Sequence, residues 1–156
     1  MAKFVIIMGS AKDLDFAKQI EKVATEFGVN CELRVASAHK TPDKVLKIIK
    51  ENEKEDVVYL TVAGGSNALS GFVDANTTKP VIAAPPPSDK FGGMDIFSSL
   101  RMPSGVAPLV VLGAEQAALS AVKILGIFDK SLQEKIFEYQ KMYKQKIEKA
   151  DKKLNG

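Results

Sequence analysis

The sequence predicts a three-layer αβα sandwich, a five-stranded parallel sheet with helices on both faces, followed by a long C-terminal helix. Three observations carry this. Apolar runs of strand length alternate with amphipathic runs of helix length from residue 3 onward, the signature of an open α/β sheet. The runs Phe4–Met8 and Val57–Val62 are apolar on both faces, as strands of a covered parallel sheet are. A chain of 156 residues with 46% hydrophobic side chains has room for one full core.

The elements follow in order. Lys3–Met8 is too short for a helix and β-branched at its centre, and Gly9 ends it. A helix is expected over 13–27, with Phe16, Ile20, Val23, Ala24 and Phe27 on one face and Gly28 as its stop. Cys31–Ala36 is the second strand. Thr41 can cap a second helix from Pro42 to about Asn52, since proline fits the first helical position. Val57–Val62 is the third strand, and a short helix is expected over 68–76. Pro80–Ala84 is a fourth strand. Pro85 to Gly93 is a long irregular connection, stiff at its three prolines and pliable at Gly92 and Gly93. Asp95–Leu100 is a helical turn or short helix, and Leu109–Leu112 the fifth strand. Glu115–Leu125 is helical, with a small-residue face of Ala117, Ala118 and Ala121. The last helix begins near Lys130 and runs to about Lys149 or beyond, with Leu132, Ile136, Tyr139, Tyr143, Ile147 and Ala150 in one stripe. Such a helix needs something to pack on. The stripe either closes over this domain or docks on another subunit; the second is favoured, with residues 1–128 expected to form the α/β catalytic domain and 129–156 to pack on a neighbouring subunit.

Composition narrows the function. The formal charge is +3, and the tail 130–156, with eight lysines and four acids, carries a net +4. With only Arg34 and Arg101 as arginines, the main body has no nucleic-acid-binding pattern. One cysteine, Cys31, gives no disulfide framework, and it is expected on a buried strand as a small apolar residue. There is no secretory signal pattern and no apolar run of membrane-spanning length, so a cytoplasmic protein without a membrane partner is expected.

An open parallel sheet binds ligands beyond the C-terminal ends of its strands. Three loops there carry chemistry. Gly9-Ser10-Ala11-Lys12-Asp13 offers a turn glycine, a hydroxyl and a helix start, suited to a phosphate, with Asp13 able to accept from sugar hydroxyls; helix capping by Ser10 or Asp13 explains the same residues. Ser37-Ala38-His39-Lys40-Thr41-Pro42 joins a strand to a helix start and holds the chain's only histidine, with Ser37 a donor and Lys40 a cation beside it. Ala63-Gly64-Gly65-Ser66-Asn67 lets backbone approach a small or flat ligand, or is a tight turn capped by Ser66 or Asn67. One histidine, one cysteine and no carboxylate cluster leave no metal site, and no Ser-His-Asp order stands out. Proton transfer on a phosphorylated substrate fits best.

Met8-Gly9-Ser10, Ser37 to Pro42, Ala63 to Gly71 and Ser98-Ser99-Leu100-Arg101-Met102-Pro103-Ser104-Gly105 together resemble the phosphoribosylaminoimidazole carboxylase catalytic subunit family. The resemblance spans residues 3 to about 128. That family has two branches. The mutase branch carries arginine where this chain has Lys40, histidine where it has Ala68, proline where it has Ser70 and arginine where it has Ser104. At all four positions this chain follows the carbon dioxide-using (class II) branch. Gly65 departs from that branch, which usually has arginine there, and Lys12 replaces a common serine.

The resemblance implies a flavodoxin-like fold. It implies carboxylation of 5-aminoimidazole ribonucleotide by carbon dioxide, with no cofactor or metal, in a homo-oligomer, an octamer with sites at subunit contacts. Ser10, Asp13, Ser37 and Lys40 would hold the ribose 5-phosphate part. Ala63, Gly64, Ser66 and Asn67 would shape the base and carbon dioxide pocket, and His39 would carry the proton. Lys90–Gly93 is a candidate cover. The rival expectations are an N5-carboxyaminoimidazole ribonucleotide mutase and a non-catalytic flavodoxin-like module that binds a phosphate ligand.

Overall fold

In the computed structural model, which describes residues 2–155, five strands form one sheet: β1 (Lys3–Met8), β2 (Asn30–Val35), β3 (Val57–Val62), β4 (Val81–Ala83) and β5 (Leu109–Val110). Their order is β2-β1-β3-β4-β5 and every pairing is parallel. The helices are α1 (Leu14–Glu26), α2 (Pro42–Glu51), α3 (Leu69–Asp74), α4 (Phe97–Leu100), α5 (Ala114–Gly126) and α6 (Lys130–Asn155).

Strand alternation builds two cores. Phe4, Ile6, Met8, Val58, Leu60 and Val62 face α1 and α5. Val5, Ile7, Val57 and Tyr59 face α2 and α3. This is why β1 and β3 are largely apolar on both faces. Each large side chain so buried contributes about 1.5–3 kcal/mol relative to an exposed one. Ala117, Ala118 and Ala121 are fully buried, so α5 packs close to the sheet as its small-residue face predicts. Gly28, at φ +76°, ends α1 in the left-handed conformation that glycine adopts without strain.

β2 is an edge strand and only half-buried. Charges guard it: Glu32 pairs with Lys3 at 3.0 Å and Arg34 at 2.7 Å, and Arg34 reaches Glu51 at 3.0 Å. Cys31 lies on this strand and is half-buried, not fully buried as expected. Burial first, then the Glu21 charge, pushes its thiol up to about 12, so it stays protonated and unreactive.

Other boundaries shift for local reasons. A 3₁₀ turn over Ala11–Asp13 precedes α1, because the Ser10 hydroxyl accepts the Lys12 N–H at 3.2 Å and tightens the entry. The expected turn over Asp95–Leu100 is the end of a longer 3₁₀ segment, Lys90–Ile96, running into α4. That segment is kinked, with Phe91, Gly92 and Gly93 all at positive φ.

The stripe of α6 is divided. Leu132 and Ile136 are buried against the domain, the Tyr139 ring packs tilted on Phe27 with centroids 5.0 Å apart, and its hydroxyl donates to Glu115 at 2.9 Å. Lys135 donates to the Phe27 carbonyl at the end of α1, at 2.8 Å. From residue 140 onward every described residue is exposed.

Candidate functional site

The switch in strand order falls between β1 and β3, and the loops that leave β1, β2 and β3 meet above it. They enclose a cavity of about 160 Å³. The β1 loop supplies Gly9, Ser10 and Asp13 to its wall, the β2 loop Ser37 and His39, and the β3 loop Ala63, Gly64 and Ser66. Ala68 and Leu69, where α3 begins, complete it. The β1 and β3 loops touch: a Cβ on Gly9 would stand 3.4 Å from that of Ala63.

The histidine loop folds back on itself. Thr41 does not cap α2 as expected. Its hydroxyl accepts the Ser37 N–H at 2.9 Å and donates to the Ser37 carbonyl at 3.3 Å, while the Ser37 hydroxyl accepts the Lys40 N–H at 3.2 Å. These bonds use loop amides that the sequence suggested for an anion. They also hold His39 exposed on the cavity wall, with no side-chain hydrogen bond among the described residues. Asp13 makes no capping bond, and burial raises its carboxyl above the ordinary carboxylate range.

Seven of the nine residues singled out from the sequence line this cavity. Lys40 does not: its side chain is exposed beside the loop, and no lysine or arginine stands in the wall among the described residues. Asn67 is buried and occupied elsewhere. Its Oδ1 accepts the N–H groups of Leu69 and Ser70, capping α3, and its amide donates to Ser99 at 2.9 Å. The capping alternative for Asn67 is therefore the observed one.

The glycine loop has a second set of partners. Asp95 accepts the Gly65 N–H at 3.0 Å, and Ser98 accepts the Asn67 N–H at 3.0 Å. Asp95 has no local signature in the sequence. Ser98 and Ser99 stand in the Ser98–Gly105 motif, which is the one signal that could have marked them. The Lys90–Gly93 segment does not line the His39 cavity. Gly93 borders a neighbouring cavity of about 330 Å³ that meets the first at Gly64.

The site thus offers one imidazole, three hydroxyls, one carboxylate and close glycine backbone. It can bind a polar ligand through hydroxyls and move one proton. Among the described residues no group of His, Cys, Asp and Glu could hold a metal ion, and no helix is long and apolar enough to cross a membrane.

Residues 3–146 match the family model described as AIR carboxylase. A phosphoribosylaminoimidazole carboxylase of Archaeoglobus fulgidus is 62% identical over 152 residues, covering 97% of this chain and 84% of that one. An N5-carboxyaminoimidazole ribonucleotide mutase of Methanocaldococcus jannaschii is 42% identical over 153 residues, covering 96% and 95%. The crystal structure of Treponema denticola PurE superimposes with a TM-score of 0.96 at 44% identity over 99% of both chains.

Proposed function

The chain belongs to the AIR carboxylase family, and from that premise we propose that it carboxylates 5-aminoimidazole ribonucleotide with carbon dioxide, reversibly, to the 4-carboxy product of purine biosynthesis. One observation carries the choice of carbon dioxide over the N5-carboxylated ribonucleotide. The cavity lining holds a single imidazole, His39, and the residue at the start of α3 is Ala68 and not a second histidine.

The chemistry needs little from the protein. The aminoimidazole is an enamine-like ring whose C4 attacks carbon dioxide and forms the C–C bond. C4 then carries a proton and a carboxylate, with positive charge spread over the ring nitrogens. His39 takes that proton, the C–H pair restores aromaticity, and the imidazolium passes the proton to water on its exposed side. In reverse His39 protonates C4 and carbon dioxide leaves. Ser10, Asp13 and Ser37 hold the ribose 5-phosphate part, with Lys40 the nearest cation of that loop. Ala63, Gly64 and Ser66 shape the base and gas pocket, which Asn67 supports from behind.

The enzyme acts as a cytoplasmic homo-octamer on this reading. A cavity of about 160 Å³ is smaller than the roughly 300 Å³ at which pockets begin to enclose such ligands, which supports completion of the site by neighbouring copies. Two separate sets of exposed apolar side chains support a closed assembly larger than a dimer. One is Ile127, Phe128, Phe137, Ile147 and Leu154 around α6; the other is Phe91, Met94, Phe97 and Leu100 before β5.

The deciding experiment supplies aminoimidazole ribonucleotide and bicarbonate without ATP, beside the N5-carboxylated ribonucleotide at matched low carbon dioxide. Turnover of the first, rising with carbon dioxide, is expected. Conversion of only the N5-carboxylated compound, indifferent to bicarbonate, makes the enzyme a mutase. Binding without turnover of either makes it a phosphate-ligand module.

A further inference from the structure

The glycine loop presents its residues alternately. Gly64 and Ser66 line the His39 cavity, while the N–H groups of Gly65 and Asn67 point the other way, to Asp95 at 3.0 Å and to Ser98 at 3.0 Å. The Ser98 hydroxyl also donates toward its own helix, to the Asp95 carbonyl at 2.7 Å, and lies 3.3 Å from the Gly65 carbonyl. A segment some 30 residues away thus grips two alternate N–H groups, on one face of the loop, and leaves the other face to the ligand. The Gly64 and Ser66 N–H groups have no acceptor within the chain among the described residues.

The grip matters because the loop is a thin partition. Gly64 borders the cavity of about 160 Å³ on one side and that of about 330 Å³ on the other. It has no side chain to stiffen it, and a Cβ there would stand 3.9 Å from both Asp95 and Pro86. Gly65 sits at φ +70° with nothing within 4 Å of a Cβ position, so packing does not hold it. Its hydrogen bond to the Asp95 carboxylate and its contact with Ser98 are what fix its conformation. A small neutral gas has almost no contacts of its own to organise a pocket, so the pocket must already be formed.

We infer that Asp95, with Ser98, is the positioning residue for the carbon dioxide pocket, holding the Gly64–Ser66 partition at a fixed distance from His39. Neither touches the reacting atoms. The inference rests on the carboxylase reading above, and it concerns residues to which that reading gives no role.

The test measures steady-state kinetics with each substrate varied in turn, for the wild type, Asp95→Ala, Asp95→Asn and Ser98→Ala. Asp95→Ala is expected to raise the KM for carbon dioxide about ten-fold and leave the KM for the ribonucleotide within about two-fold, the pattern of a displaced pocket wall. Asp95→Asn keeps an acceptor oxygen and recovers most of the loss. Ser98→Ala shows the same split, and the double variant loses less than the product of the two, since both act on one loop. A purely structural role would lower the melting temperature without separating the two KM values. A folded Asp95→Ala with unchanged carbon dioxide KM overturns the inference, as does Asp95→Asn no better than Asp95→Ala. Wild type run beside them tests the carboxylase reading separately: if it turns over only the N5-carboxylated compound, that reading falls, and the KM for that compound becomes the measure of Asp95.

Discussion

The Thr41 hydroxyl accepts the backbone N–H of Ser37 at 2.9 Å, closing the turn that presents His39. The bond is local and partly exposed, so removing it costs about 1 kcal/mol net. In a chain of this length that lowers the melting temperature by about 2–4 °C. Its effect on catalysis is larger, because a displacement of about 1 Å in a positioned group can cost up to 10²-fold in rate. Thr41→Val, of the same shape, is expected to lose about ten-fold in kcat, and Thr41→Ser to recover it. Equal kcat in Thr41→Val and wild type would show that the turn holds without this bond.

Among the described residues His39 makes no side-chain hydrogen bond, and it is exposed, so replacing it leaves the core untouched. His39→Asn is expected to lose about 10²–10⁴-fold in turnover, the usual worth of a general acid–base group, with an unchanged melting curve. No second imidazole is present to substitute. Retained turnover would remove His39 from the proton transfer.

The histidine turn was legible because its signals are local: a strand, a serine, a lone histidine and a proline within a few residues. Thr41 misled for the same reason. A hydroxyl before a helix can bond forward to the helix or back to the turn, and composition does not choose between them. Asn67 carried both readings, pocket and cap, and its neighbours on α3 took the cap. Asp95 was illegible because its partner, Gly65, lies 30 residues away across β4. The alternation of strands and helices predicted every layer, since parallel strands covered on both sides leave a continuous apolar run. β2 broke that pattern, being an edge, and the charges of Glu32 and Arg34 were the mark of it.

Two carboxyls respond oppositely to folding. Burial raises Asp13, so its ionised form is disfavoured in the folded state. Its contribution is fully present below the unfolded pKa and is lost as pH rises through the folded value. Burial also acts to raise Glu32, but hydrogen bonds and charge from Arg34 and Lys3 outweigh it and hold Glu32 low. That contribution is present above the unfolded pKa and is lost as pH falls through the folded value. Asp13→Asn is therefore expected to melt no lower than wild type at neutral pH, while its ribonucleotide KM rises. Glu32→Gln is expected to melt lower at neutral pH, with the difference closing in acid. Melting curves across the carboxylate range check both, and parallel pH profiles for wild type and the two variants would refute them.

Gly65 stands where the resemblance to the carbon dioxide-using branch leads one to expect arginine. At φ +70° any other L-residue pays about 1–2 kcal/mol, yet nothing lies within 4 Å of its Cβ position. Gly65→Arg is expected to fold, to melt a few degrees lower, about 4 °C, and to retain turnover, because its N–H can still reach Asp95. Loss of turnover in a folded Gly65→Arg would mean that the open space is part of the site.

The two apolar sets make separable predictions about assembly. A closed octamer other than a single eight-membered ring requires at least two different contacts, since one isologous contact closes at a dimer. Ile147 on α6 is 71% exposed and Phe97 before β5 is 56% exposed, so neither supports its own domain. Placing a charge at either disrupts one contact and leaves the fold intact. Ile147→Glu and Phe97→Glu are each expected to give a smaller closed assembly, and the double variant a monomer, by light scattering after size exclusion. On the proposed reading that neighbouring copies complete the site, turnover should fall with the assembly. A fully active monomer would contradict the shared site, and an intact octamer in both single variants would place the contacts elsewhere.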